Sequence, residues 1–217
     1  MSTEPEGRKA GDRDAPPPKL RSGPDLRGAF KICVALYGRY VQSDDPLVSA
    51  GNRIALMVAA NQPFYPLYLY GFVTHDIASS FLTFFSTPFF VAVPAVSRRF
   101  CVAGRALLVV SGVANTLLCL KLFGAESAVE LFLLPCLLIA SLLFRRSEKA
   151  CSYALVAGII ALSAVWRAVT TTPQAAYSQQ EYAAFVALHA YSVAVLTIFI
   201  GFTVSRALFE QTAQCER

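Results

Sequence analysis

Residues 183–205 read AAFVALHAYSVAVLTIFIGFTVS, and this stretch decides the fold class because it contains no Asp, Glu, Lys or Arg. About 20 apolar residues in a helix span the hydrocarbon core of a bilayer. Comparable apolar stretches lie at residues 53–73, 77–96, 106–123, 129–144 and 152–168. They do not alternate apolar and polar residues as the strands of a membrane barrel do. The sequence therefore predicts an all-α membrane protein, a bundle of six transmembrane helices.

The composition agrees with this assignment. Hydrophobic residues make up 55% of the 217-residue chain and charged residues only 15%, and the mean hydropathy is +0.50. A soluble domain normally carries about a quarter charged residues. Because the predicted spans fill most of residues 47–206, little of the chain remains for a separate catalytic domain.

Basic residues are concentrated on alternate connections. The connection between the second and third spans and that between the fourth and fifth carry Arg98, Arg99 and Arg105, and Arg145, Arg146 and Lys149, respectively. Basic connections remain on the cytoplasmic side of a membrane. The pattern therefore predicts a multi-pass protein with both termini in the cytoplasm.

Four segments follow from the composition along the chain. Residues 1–24, which include Pro16-Pro17-Pro18, predict a disordered cytoplasmic tail. Residues 25–46 predict a short amphipathic helix and linker at the inner membrane surface; a helix docked on the cytoplasmic face of the bundle is the open alternative. Residues 47–206 form the transmembrane domain, and residues 207–217 a short cytoplasmic tail.

Polar side chains within the predicted spans need partners, since hydrocarbon supplies none. The first span contains Asn61-Gln62-Pro63, where the proline predicts a kink. Asn115 lies in the middle of the third span and could bond to Asn61 across the bundle. The second span is rich in phenylalanine, which indicates either a lipid-facing surface or core packing and implies no site.

Ionisable residues near the predicted outer surface form the candidate ligand-binding set: Lys121, Glu126, Glu130 and His189. They could bind a charged or polar ligand in the outer leaflet. Two simpler readings stay open, in which Lys121 reaches water or pairs locally, and His189 bonds to a neighbouring helix. A contact between His189 and Glu130 is a further hypothesis, because the two lie at similar depth.

Motifs of catalysis and cofactor binding are missing from the sequence. It has no nucleophile elbow, phosphate-binding loop or HExxH motif, and its six cysteines lack metal-ligand spacing. We therefore expect neither an enzyme nor a metal or other cofactor, and no nucleic-acid partner.

Several short motifs occur in a recognisable order. They are Asn52-Arg53-Ile54-Ala55-Leu56, Ser97-Arg98-Arg99 after Pro94, Gly104-Arg105, residues 122–127 (LFGAES), residues 130–135 (ELFLLP) and Glu148. In this order, over about residues 50–165, the chain resembles the six-transmembrane sensory input module of bacterial histidine kinases, class III adenylate cyclases and diguanylate cyclases. Members of that family continue from the last span into an effector domain, and we expect this chain to be an input module without one.

The resemblance implies a bacterial inner-membrane protein that acts as a stand-alone input module. It would bind a membrane-borne or small hydrophobic cue, or regulate a partner through helix contacts within the bilayer. Besides the lipid bilayer, a separate membrane or cytoplasmic protein and a second copy of the chain, forming a homodimer, are the candidate partners. A small transporter or channel-like protein, and an accessory or assembly subunit of a membrane complex, are the alternatives.

Overall fold

The computed structural model describes residues 26–169 and 177–215, which are helical or form turns, with no strand among them. The α-helices in these ranges are α1 (Leu26–Val41), α2 (Pro46–Asn61), α3 (Tyr65–Phe72), α4 (Thr87–Ser97), α5 (Cys101–Phe123), α6 (Leu133–Leu142), α7 (Lys149–Val169) and α8 (Gln179–Cys215). Short 3₁₀ segments cover Gln62–Phe64, Ala78–Ser86, Ala125–Ser127, Val129–Phe132 and Arg146–Glu148. The predicted disordered tail, residues 1–24, lies outside the described residues.

Four helical segments in the described part of the chain are long and apolar enough to cross a membrane. They are Ala78–Ser97, Cys101–Phe123, Arg146–Trp166 and Gln179–Ala213, and Val129–Leu142 is a shorter apolar segment. By length and composition the chain is therefore a multi-pass, all-α membrane protein, as predicted. The count of six spans is not confirmed, because the first predicted span is divided between two helices and the fourth is short.

The first predicted span is interrupted where the sequence predicts a kink. Asp45 begins α2 by accepting a hydrogen bond from the backbone N–H of Leu47 (2.9 Å), and Pro46 occupies the first turn. The α-helix ends at Asn61, and a single 3₁₀ turn containing Pro63 separates it from α3. Proline removes a backbone donor, so the change of helix type at this position has a local cause.

The core of the bundle forms around α5, which packs against α2, α4, α6 and α7. Five helices contribute buried apolar side chains to this core: Ile54, Val93, Leu108, Ile139 and Ile200. α4 and α5 pack closely, because a Cβ atom on Gly104 would lie 2.7 Å from the Cα of Ser97. Only glycine permits this separation.

The last helix is longer than the sequence predicts. α8 has 37 residues, about 55 Å at the rise of an α-helix, whereas the hydrocarbon core is about 30 Å thick. The helix continues beyond residue 205, the predicted end of the last span, and Arg206 pairs with Glu210 along it (2.9 Å). The predicted interfacial segment is helical in α1, and its place at a membrane surface stays a prediction.

Candidate functional site

A cavity of about 330 Å³ lies between the helices of the bundle. Its wall is formed by residues of α2 to α6 and α8 and by three of the 3₁₀ segments. The polar side chains that line it are Asn61, Gln62, Tyr65, Tyr68, Thr83, Asn115, Thr116, Tyr191 and Ser192. No Asp, Glu, Lys, Arg or His from the described residues is among the lining side chains. The cavity is therefore mostly apolar, with uncharged hydrogen-bonding groups on its wall.

Gln62 joins the kink in the first predicted span to the segment that contains the phenylalanines. Its side-chain nitrogen donates to the carbonyl of Thr83 (3.3 Å) and to the hydroxyl of Ser86, and its oxygen accepts from the hydroxyl of Thr87 (2.5 Å). Gln62 is 7% exposed, so these bonds satisfy an amide that water does not reach. The second predicted span therefore supplies the hydrogen-bonding partners of Gln62 in addition to its phenylalanines.

Asn61 and Asn115 both line the cavity, but the predicted bond between them is replaced by other contacts. The side-chain oxygen of Asn115 lies 2.8 Å from the hydroxyl of Ser86. That of Asn61, which is exposed, lies 3.4 Å from the hydroxyl of Tyr68. The two carboxamides predicted to pair thus bond separately and share one cavity.

His189 is fully buried behind the cavity wall. One ring nitrogen lies 3.0 Å from the hydroxyl of Tyr65 and the other 2.7 Å from the carbonyl oxygen of Ser127. Phe132 and Phe185 pack against the ring, with centroids at 5.7 and 5.5 Å. Both ring nitrogens therefore have partners other than Glu130, which supports the reading of His189 as a residue bonded to its neighbours.

The other members of the predicted ligand set lie at the same end of the bundle as His189. Lys121 and Glu126 are exposed, and Glu130 is half-buried. Lys121 and Glu130 both take part in interactions. Among the described residues, no cluster of three or more His, Cys, Asp or Glu could hold a metal ion. The structure brings these side chains to one end of the bundle and leaves them outside the cavity.

The opposite end of the bundle contains a buried arginine. Arg105 is 1% exposed; its guanidinium donates to the carbonyl of Leu143 (2.5 Å), the carbonyl of Cys101 (3.2 Å) and the carboxylate of Glu148 (2.8 Å). Glu148 also accepts from the backbone N–H of Arg145 (2.8 Å). Three acceptors around one guanidinium offset much of its desolvation.

A second ion pair extends this arrangement to the start of α2. The side chain of Arg145 pairs with Asp45 (2.9 Å), and Asn52 donates to the carbonyl of Val41 (3.0 Å). These contacts bring both predicted basic connections to the same end of the bundle. We call this the arginine end (Arg105, Glu148, Arg145 and Asp45), and the opposite one the histidine end (His189, Tyr65 and Ser127).

Sequence reasoning missed two groups of residues. The hydroxyls of Thr83, Ser86 and Thr87 are spaced to follow one side of a helical segment, a pattern that could have indicated a polar face within the second span. The pairing of Arg105 with Glu148 has no such signal, because 43 residues separate the two.

Comparisons with protein-family models, with curated proteins and with solved structures find no match to this chain.

Proposed function

We propose that this chain is a bacterial inner-membrane protein that binds a small membrane-borne lipophilic molecule in its central cavity and acts as a sensory input module. In this proposal it crosses the bilayer six times and keeps both termini in the cytoplasm. A separate protein partner converts occupancy of the cavity into a response. The resemblance of the sequence to bacterial input modules and the geometry of the cavity support this reading.

The six crossings combine the four long segments with the two irregular ones. α2 and α3 together run from residue 46 to residue 72, interrupted by one 3₁₀ turn. Val129–Leu142 is short for a bilayer, but it lies between α5 and α7 and packs against α5. With six crossings the arginine end faces the cytoplasm, as the excess of basic residues on cytoplasmic connections favours.

The cavity is the observation that carries the functional proposal. Its volume of about 330 Å³ lies within the range of small-molecule sites, which are mostly apolar with a few polar groups. Part of its wall is formed by Asn61, Tyr191 and Val195, which are exposed at the surface of the bundle. Tyr191 and Val195 lie well inside the long apolar helix α8, so the opening faces lipid. A ligand dissolved in the bilayer would therefore enter from the side.

The same helices connect the cavity to the arginine end. α2 carries both Ile54 in the cavity wall and Asn52, which bonds to the end of α1. α5 carries both Leu108 in the wall and Arg105 one turn away. A ligand that prefers one packing of α2 and α5 would therefore shift the arginine end as well, and a partner bound there would sense the change.

Photolabelling in lipid nanodiscs tests the proposal. We expect a diazirine-bearing dodecanol probe to label cavity residues such as Met57 and Tyr191 in a saturable manner. The variant Val58→Trp fills the cavity and should weaken labelling about tenfold or more, equivalent to a loss of about 1.4 kcal/mol of binding free energy. Val165→Trp makes the same change on the exposed side of α7 and should leave labelling unchanged.

Two outcomes would count against the proposal. Labelling spread over the lipid-facing surface, equal in both tryptophan variants, would show that the cavity is not a binding site. Flux of a solute in proteoliposomes, lost in Asn115→Leu, would instead favour the transporter alternative. The polar residues of the predicted spans that could line such a pathway are Asn61, Gln62, Asn115 and His189, and all but His189 line this cavity.

A further inference from the structure

The polar groups on the cavity wall differ in how much hydrogen-bonding capacity they retain. Gln62 uses its amide nitrogen and oxygen on Thr83, Ser86 and Thr87. Thr116 donates its hydroxyl to the carbonyl of Gly112 in the preceding turn (2.9 Å). These side chains hold the helices together and have little capacity left for a ligand.

Asn115 retains more hydrogen-bonding capacity than Gln62 or Thr116. A carboxamide offers two donors and an acceptor with two lone pairs, and the only hydrogen bond of the Asn115 side chain within the described part of the chain is the contact with Ser86. The remaining donor or acceptor sites are on a residue that lines the cavity. Asn61 has a similar surplus, since its carboxamide has the 3.4 Å contact with Tyr68 and is otherwise exposed at the opening.

The charge of the wall restricts what can bind to these carboxamides. The lining residues from the described chain carry no formal charge, and moving a charged group from water to such a site without a counter-charge costs several kcal/mol. A purely aliphatic molecule, in contrast, would leave the donor and acceptor sites of Asn115 that Ser86 does not use without a partner, which a membrane interior cannot supply. An uncharged polar group avoids both penalties.

We infer that the ligand of this cavity is a lipophile with an uncharged polar head group, such as a hydroxyl, carbonyl or ester, which hydrogen-bonds to Asn115 while its hydrocarbon part packs on apolar side chains of α6 and α8. Ile139, Val195 and Leu196 form that apolar part of the wall. The inference rests on the proposed binding function and adds the chemistry of the head group. Asn61, at the opening, meets the head group first as the ligand enters from the lipid.

Three competitors of equal chain length test the head group: dodecan-1-ol, dodecane and dodecanoate. Each is added to the intact protein in nanodiscs together with the diazirine-bearing dodecanol probe, and competition is compared at equal measured concentration in the bilayer. One hydrogen bond within a membrane contributes about 0.6 to 1.7 kcal/mol, so the alcohol should compete about three- to twentyfold more strongly than the alkane. Dodecanoate, measured at a pH where it is ionised, should compete less than the alcohol.

Variants locate the contact. Asn115→Leu should remove most of the advantage of the alcohol over the alkane and leave competition by dodecane unchanged. Gln180→Leu makes the same chemical change at an exposed position near the start of α8 and should preserve the advantage. If Asn115→Leu does not fold, two measurements still test whether a carboxamide of the cavity wall binds the head group. They are the competition series on the wild-type protein and the same series on the exposed variant Asn61→Leu.

The two proposals fail in different ways. Equal competition by dodecane or by ionised dodecanoate, with labelling still confined to the cavity, overturns the inference about the head group and leaves the binding site in place. The same holds if Asn115→Leu, once folded, keeps the full preference for the alcohol. Labelling that is neither confined to the cavity nor displaced by any of the three overturns the proposed function itself.

Discussion

The two ends of the bundle are stabilised by different chemistry. At the arginine end, a buried guanidinium meets a carboxylate and two backbone carbonyls, and a second ion pair joins Arg145 to Asp45. At the histidine end, an aromatic ring is buried among other aromatic rings and bonds to a phenol and one carbonyl. One end thus depends on paired charges, and the other on close packing with two hydrogen bonds.

The two ends differ in whether charged side chains contribute to the buried contacts. Glu148 is 18% exposed, so the ion pair with Arg105 lies at the edge of the bundle, where water still solvates the carboxylate. Deeper in the bundle, the polar side chains of Gln62 and Asn115 are uncharged amides. An uncharged cavity between the arginine end and the histidine end is consistent with the proposed lipophilic ligand, because an ion at that depth would attract water into the cavity.

The largest effect should follow from removing the buried charge. Arg105→Ala leaves Glu148 and the carbonyl of Leu143 without their partner, and loss of one member of a buried ion pair costs about 3–5 kcal/mol. Because Glu148 is partly exposed, we expect a decrease near the lower value in the free energy of unfolding. Reversible titration with a denaturing detergent in mixed micelles would measure it.

The pair between Arg206 and Glu210 provides the matched control. It also joins an arginine to a glutamate, at 2.9 Å, but the two side chains are 70% and 46% exposed. Exposed pairs four residues apart contribute about 0.3–0.5 kcal/mol. If Arg105→Ala destabilised the protein no more than Arg206→Ala does, the arginine end would not depend on its buried charge.

The next effect concerns the close contact that positions Arg105. A Cβ atom on Gly104 would lie 1.9 Å from the hydroxyl oxygen of Ser97 and 2.7 Å from its Cα, so Gly104→Ala must move α4 away from α5. Overpacking of this kind costs about 1–3 kcal/mol. Gly158, on α7, has open space where its Cβ would be. Gly158→Ala should therefore be neutral or stabilise the helix by up to about 1 kcal/mol, and equal thermal shifts in both variants would contradict the close contact.

The sequence predicts the helical class and the main break in the chain, because both depend on local properties. Apolar length indicates the membrane helices, and Pro63 determines where α2 ends. The number of membrane crossings is harder to predict from the sequence. An apolar stretch can be interrupted, as at α2 and α3, or too short, as at α6, and then it does not form one long helix. Apolar length also does not indicate where α8 ends, since residues beyond 205 become polar while the helix continues.

The polar residues were found more readily than their partners. Four polar residues stand out in apolar segments of the sequence: Asn61, Gln62, Asn115 and His189. All but His189 line the cavity. Their partners depend on how each helix rotates about its axis, which apolar runs without a strong amphipathic pattern do not specify. Asn61 and Asn115 accordingly bond to Tyr68 and Ser86 rather than to each other, although both residues reach the same cavity.

The smallest effect tests the histidine end. A double-mutant cycle of His189→Leu and Tyr65→Phe should give a coupling energy of about 0.6 kcal/mol, and at most about 1.7 kcal/mol, as for other hydrogen bonds between membrane helices. The 3.0 Å contact between the ring nitrogen and the phenol is the physical reason. His189→Leu and Glu130→Gln should be additive, because both ring nitrogens bond elsewhere. Coupling to Glu130 without coupling to Tyr65 would restore the pairing first expected from depth alone. It would also mean that the histidine end, like the arginine end, depends on a charge.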